Sequence, residues 1–239
     1  MAHPTRKATP TTGRRRRVPR HDVPRRKRFT SVWPCAQEIP SPGTGVLADW
    51  LLNAVVKIVT TYSSPGDRVL LIAPGPAATP TPRRLGPYAG LFEAVWPIVR
   101  LGRGVQTGLA TPYESACHIT PAADIELFNA IITAAEPRSV MAMRPSAWSS
   151  SLVPDGILAV LTHGQRTPAR FHDPANALVQ AAHRDGLKYL DRIAVLQAPI
   201  EQRDSGISAP PAVHARVHAD LHIFSNTTTD ATVAEDGRA

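Results

Sequence analysis

Apolar residues at Leu47, Trp50, Leu51, Ala54, Val55, Ile58, Val59 and Tyr62 recur at i, i+3, i+4 and i+7, with Asp49, Asn53 and Lys57 on the opposite side. That spacing predicts an amphipathic helix whose apolar face lies on a sheet. Ser63-Ser64-Pro65-Gly66-Asp67 is a turn cluster that stops it, and Val69 to Ala73 reads as a short strand buried on both faces. Pro74, Gly75, Pro76, Pro80 and Pro82 then interrupt regular structure until about Gly90. Leu91 to Leu101 is helical in pattern, with Pro97 expected to kink or shorten it, and a weak strand follows at Gly104 to Leu109.

Phe128 to Thr133 and Ile157 to Thr162 are clear strands, the second entered through the turn Val153-Pro154-Asp155-Gly156. Asp173-Pro174 reads as an N-cap and first-turn proline, Leu178, Val179 and Ala182 form an apolar stripe, and Gly186 ends the helix. Tyr189 to Gln197 and Ala219 to Phe224 alternate as strands do. Alternating helices and continuous apolar strands predict an α/β fold, a mostly parallel sheet covered on both faces. Ligands in such sheets bind beyond the carboxyl ends of the strands, so chemistry is sought there.

Charge divides the chain unevenly. Residues 1–28 carry eleven Lys or Arg and one acid, Asp22, whereas the net charge of the whole chain is +8. The remainder is therefore nearly neutral. With four prolines and little large apolar surface before Phe29, residues 1–28 cannot gain enough burial to offset ordering entropy, and a disordered basic tail is expected. Arg14, Arg15, Arg16, Arg17, Arg25, Arg26, Lys27 and Arg28 would attract polyanions by counterion release, with nucleic acid or an acidic membrane surface the natural partner. A purely solvated tail is the alternative. The expected organisation is a tail at 1–28, one domain at 29–225 and a second disordered tail at 226–239.

No apolar run follows the arginines as in a secretory signal, and none has the length of a membrane span. Cys35 and Cys117 form no close pair and suggest neither a zinc site nor a disulfide framework, so the cytoplasm is the default compartment and no membrane partner is expected.

The order of segments resembles a class I S-adenosylmethionine-dependent methyltransferase, most of all the DNA amino-methyltransferases that act on N4 of cytosine or N6 of adenine. The segments are Tyr62 to Leu70, Phe92 to Val95 with Leu101-Gly102-Arg103, Phe128 to Thr133, Leu152 to Val160, and Ala219 to Phe224. The resemblance covers Ser31 to Ser225 and implies a Rossmann-like methyltransferase fold with an antiparallel closing strand.

The family's functional positions are mostly replaced. Its first motif begins with an acid and contains glycines that let the backbone approach the cofactor. Here the run is Leu71, Ile72, Ala73, Pro74, Gly75, Pro76, Ala77, Ala78, Thr79, of which Gly75 and Thr79 match, while Pro74 and Pro76 remove N–H donors. Leu71, Gly75, Ala77 and Thr79 thus read as vestigial cofactor positions. The second strand, Val105 to Leu109, ends without the acid that would meet ribose hydroxyls. Glu114 lies further on, where it reads as a displaced substitute or a solvated surface charge.

The family's catalytic motif is a polar residue, two prolines and an aromatic ring that stacks on the flipped base. Ala134, Ala135, Glu136 and Pro137 stand there, without the ring. Glu136 is the one group able to accept from an amine. The resemblance thus implies S-adenosylmethionine as cofactor if any, and the replacements point to none. Three readings follow: a methyltransferase-like protein without methyl transfer, an active divergent methyltransferase using Glu136 or Glu114, and a nucleic-acid-binding accessory acting through its tail. The protein partner is not specified.

Other constellations are thinner. His163, His172 and His183 follow the fifth strand, and His214, His218 and His222 are spaced i, i+4, i+8, without a Cys or carboxylate set to complete a metal site. Trp33, Trp50, Trp96 and Trp148 read as core anchors, with Trp33 beside the basic tail also placed to stack on a base.

Overall fold

A computed structural model describes residues 31–35, 49–74, 88, 90–110, 127–143, 145–166, 170–197 and 217–227. The basic residues of 1–28, the tail beyond 227, Gly75, Pro76, Ala77, Thr79, Glu114, Cys117 and His214 lie outside the described residues.

In chain order the elements are β1 (Ser31–Pro34), α1 (Asp49–Tyr62), β2 (Arg68–Pro74), a 3₁₀ turn (Leu91–Ala94), α2 (Val95–Arg100), β3 (Gly104–Ala110) and β4 (Phe128–Ala134). They continue with α3 (Pro137–Ala142), a 3₁₀ segment (Pro145–Ser151), β5 (Leu152–Thr162), β6 (Gln165–Arg166), β7 (Phe171–His172), α4 (Ala175–Arg184), β8 (Leu187–Leu196) and β9 (His218–Asn226). Seven strands form one sheet in the order β1-β8-β9-β5-β4-β2-β3. All neighbours are parallel except β9, which runs antiparallel to both β5 and β8. This is the mostly parallel Rossmann-like sheet with an antiparallel closing strand.

The two faces of the strands divide the core. Val69, Leu71, Ala130, Ile132, Ala159, Leu161, Leu221 and Ile223 join α1 and Ile98 of α2 on one side. Leu70, Ile72, Ile131, Leu158, Val160 and Phe224 meet Val140 of α3, Trp148, and Leu178 and Ala182 of α4 on the other. The period-two alternation therefore buries both faces, as continuous apolar strands require.

The turn after α1 is closed by its own polar side chains. Ser63 Oγ donates to the Val59 carbonyl at 2.7 Å, and Asp67 Oδ2 accepts the Ser64 N–H at 2.8 Å. Gly66, at φ 88, has the left-handed backbone that glycine adopts freely, and its N–H reaches the Gly102 carbonyl at 2.7 Å. Arg103 is buried beside this turn, its guanidinium donating to the Ser63 carbonyl at 2.8 Å. The starts of β2 and β3 are thereby fixed in register, with Gly104 N–H on the Asp67 carbonyl at 2.9 Å.

Several sequence expectations are corrected. Of the two effects expected at Pro97 the helix is short rather than kinked: a 3₁₀ turn precedes the six-residue α2, and Pro97 falls in the first turn of α2, where a missing N–H removes no intrahelical bond. Val153-Pro154-Asp155-Gly156 is no separate turn but a bulge inside β5, since Phe128 pairs with Leu152 while Ala130 pairs with Ile157. Asp155 takes φ 61 there, and a Cβ on Gly156 would lie 2.8 Å from the Val153 carbonyl oxygen. Trp33 is buried rather than open to a base, with Lys57 Nζ 5.3 Å from the centre of its ring. Trp96 is the exception among the tryptophans, 68% exposed.

Candidate functional site

The carboxyl ends of β2, β3, β4 and β5 lie side by side. Leu71, at the position of the family's first acid, has no exposed surface and belongs to the α1-side core. β3 carries no acidic residue, and Gly108 pairs with Ile72. Ala134 and Ala135 are buried, and the Ala135 N–H donates to the Leu161 carbonyl at 3.1 Å. Where a cofactor would need a carboxylate for its ribose or its charged end, the described residues of β2 and β3 thus present side chains that cannot supply one. Among the described residues, β2 and β3 therefore offer no carboxylate partner for S-adenosylmethionine.

One chemically capable group emerges at this edge. Glu136 caps α3, its backbone carbonyl accepting the Val140 N–H at 2.9 Å, and Pro137 opens the helix where its lack of an N–H is harmless. Its Oε2 lies 3.0 Å from His163 Nε2. His163 Nδ1 sits 2.8 Å from the Tyr88 hydroxyl, and the two rings stack at 5.7 Å with an 18° tilt. Tyr88 in turn meets Trp50 edge-on at 5.8 Å. If Tyr88 donates to Nδ1, the remaining imidazole proton is on Nε2, facing the carboxylate.

Tyr88 and His163 are buried, whereas the Glu136 side chain is 44% exposed. The arrangement can hold a carboxylate in place and accept a proton at the sheet's ligand edge. The sequence offered Glu136 alone, with His163 noted only as following the fifth strand. The joining signal was available in the register: Ala134 pairs with Leu161, so residues two further along adjacent parallel strands emerge together. Nothing in the sequence could have brought Tyr88 to His163.

A second polar group lies on the α4 side of the sheet. Arg192 holds Asp220 with two hydrogen bonds, at 3.2 and 3.1 Å, and reaches Asp173 Oδ2 at 3.0 Å. Asp173 Oδ1 accepts the Ala175 N–H at 2.9 Å from one position before the N-cap of α4, which is Pro174 and not Asp173 as the sequence suggests. Burial pushes the Asp173 carboxyl up, but the Ala175 N–H and Arg192 outweigh it and hold it below the ordinary value. The Asp220 hydrogen bond raises the pKa of Arg192. His222, fully buried, is driven down to about 4, chiefly by burial, and is neutral at pH 7.

Tyr189 hydroxyl lies 3.3 Å from His222 Nδ1, and burial raises its pKa. His218 is exposed and His222 is not, so the even-numbered spacing of these histidines gathers no ligand set. Among the described residues no three His, Cys, Asp or Glu converge as metal ligands.

A polar cleft of about 410 Å³ lies at the opposite, amino ends of β2, β4 and β5, lined in part by Ser64, Asp67, Asn129 and Asp155. It owes its shape to the α1–β2 turn and the β5 bulge. No paired acid and base face each other in it, so the chemistry is sought at the carboxyl ends.

Strand order, the two-sided core and the antiparallel β9 define the chain as a Rossmann-like, methyltransferase-type α/β protein. No family model matches the chain, and no curated protein matches it. Among solved structures it is similar to the N-methyltransferase NodS of Bradyrhizobium japonicum WM9 bound to S-adenosyl-L-homocysteine, at 16% identity and a TM-score of 0.39 over 80% of this chain and 94% of that one. It is similar also to a SAM-dependent methyltransferase of Methanosarcina mazei, at 10% identity and 0.38 over 71% and 97%. The [4+2]-cyclase SpnF matches at 13% identity and 0.37 over 70% and 67%. Likeness at this level bears on no shared chemistry, and the fold rests on the chain's own topology. No helix among the described residues is long and apolar enough to cross a membrane.

Proposed function

We propose that this chain is a methyltransferase-fold protein, descended from DNA amino-methyltransferases, that no longer transfers methyl groups and binds nucleic acid through its basic amino-terminal segment. One observation carries the loss of transfer. The positions aligned with the cofactor and target-amine contacts of that family are Leu71, Gly108 and Ala134; Leu71 lies in the middle of β2 and Ala134 at the end of β4, and both are packed into the apolar core. Restoring a carboxylate there would bury a charge, so the core itself opposes the older site. The eleven cations of residues 1–28 support the nucleic-acid half. Isothermal titration with S-adenosylmethionine tests the first half: no heat of binding at millimolar cofactor is expected, and micromolar affinity would overturn it.

A second reading, an active divergent enzyme, draws on the Tyr88–His163–Glu136 arrangement. It predicts transfer of label from the cofactor to DNA, RNA or protein, lost on Glu136→Gln. Label no higher than in a heat-killed control decides against it.

A further inference from the structure

The β6–β7 hairpin follows β5 directly at the carboxyl edge, joined to it by His163 and Gly164. Its register sets Arg166 opposite Phe171 and Gln165 opposite His172. A Cβ built on Gly164 would lie 2.1, 2.7 and 3.2 Å from three ring atoms of Phe171, so the ring rests directly on the bare backbone of Gly164. Only glycine leaves room for it. Yet 63% of Phe171 remains exposed. The ring is therefore held from one side and open on the other, which is unlike a core residue that has failed to find cover.

Arg166 and Arg170 are exposed on the same hairpin, and Arg166 stands across from Phe171. An open aromatic face with an arginine across from it suits a ligand that is at once flat, apolar on its faces and anionic along its length.

The geometry points to the β6–β7 hairpin as a binding surface for single-stranded nucleic acid, with a base stacked on Phe171 and phosphates beside Arg166. Duplex DNA keeps its base faces covered, so it would feel the charge and not the ring. This rests on the proposed function only in the partner it names. The hairpin shares no residue with the arginine run at residues 14–17, and the two can fail independently.

Fluorescence anisotropy of the full chain with labelled oligothymidine and a labelled mixed-sequence duplex tests it. Phe171→Ala should weaken oligothymidine binding about tenfold and duplex binding less than about twofold. Phe171→Leu, which keeps apolar contact with Gly164 but has no ring, should behave as Phe171→Ala does. Arg166→Gln should weaken both and reduce the salt slope by about one. Neutralising Arg14, Arg15, Arg16 and Arg17 to Gln in the full chain should weaken both ligands and leave the tenfold effect of Phe171→Ala intact.

Parent-like binding by Phe171→Ala or Phe171→Leu overturns the proposal, as does equal loss on single strand and duplex. Polyglutamate that displaces oligothymidine from the parent but not from Phe171→Ala would assign the surface to an acidic protein and also overturn it. Binding that disappears entirely in the arginine variant overturns the hairpin alone, while a parent with no affinity for either nucleic acid overturns both this inference and the tail reading.

Discussion

Replacing His222 by leucine should make the protein markedly less sensitive to mild acid. His222 sits on β9 between Val160 of β5 and Arg192 of β8, without exposed surface. Burial is the main cause of a pKa near 4 against an ordinary 6.5, with Arg192 adding to the fall and Asp220 and Asp173 opposing it. Below the unfolded value the unfolded chain takes up a proton that the native chain refuses, so stability is full above about pH 6.5 and declines as pH falls toward 4. Two and a half units of difference, at about 1.4 kcal/mol each, amount to roughly 3 kcal/mol across that window.

Urea unfolding followed by tryptophan emission at steps between about pH 7.5 and pH 4 would measure it. Other histidines and carboxylates titrate in the same range, so the readout is the difference between parent and His222→Leu. At neutral pH the variant should be less stable by about 1 kcal/mol for the lost Tyr189 contact. That gap should close and then reverse in sign as pH falls. Curves that stay parallel from neutral pH to pH 4 would refute the assignment of a buried neutral imidazole.

Other substitutions probe the same framework. Arg192→Met leaves Asp220 buried without its partner and should cost about 2 kcal/mol in chemical denaturation, below the range for deep pairs because the arginine is partly exposed. Gly156→Ala should cost roughly 1–3 kcal/mol, since the new Cβ would press on two backbone carbonyl oxygens, and a thermal melt would show it. Gly164→Ala meets only the end of the Phe171 ring, so it should alter melting by less than about 0.5 kcal/mol while displacing that ring. An unchanged melt together with unchanged oligothymidine binding would contradict the hairpin geometry.

The long elements were readable because each announced its own period. α1 shows an i, i+3, i+4 stripe, and the central strands are too uniformly apolar to be anything but doubly covered. β1 was not readable: four residues ending in proline become a strand only because the edge of β8 supplies a partner. α3 has a single buried apolar residue beside Pro137 and so no stripe. At Val153 to Gly156 local chemistry misled, because Pro-Asp-Gly reads as a turn while Phe128 pairing with Leu152 keeps the chain in the sheet. At Leu71, Gly108 and Ala134 the sequence itself shows side chains that carry no carboxylate. The Tyr88–His163–Glu136 contact was not legible there, since one of its members comes from the turn before the 3₁₀ segment, 75 positions from His163.

That contact bears on which reading of the function holds. In a Rossmann-like sheet, bound ligand normally bridges the ends of the central strands and the loops that follow them. Here protein side chains make the bridge: Tyr88 from the segment after β2, His163 from the end of β5 and Glu136 from the end of β4. A group engaged as a structural tie should contribute to stability and be indifferent to added cofactor. Tyr88→Phe and His163→Leu would then each destabilise, and the double variant would lose about 1 kcal/mol less than the sum. A catalytic relay makes a different demand, that the same pair couple in the rate of label transfer while stability effects add. Coupling in stability with no transfer to measure would mean that the contact has taken over the bridging role that a ligand holds elsewhere in this fold.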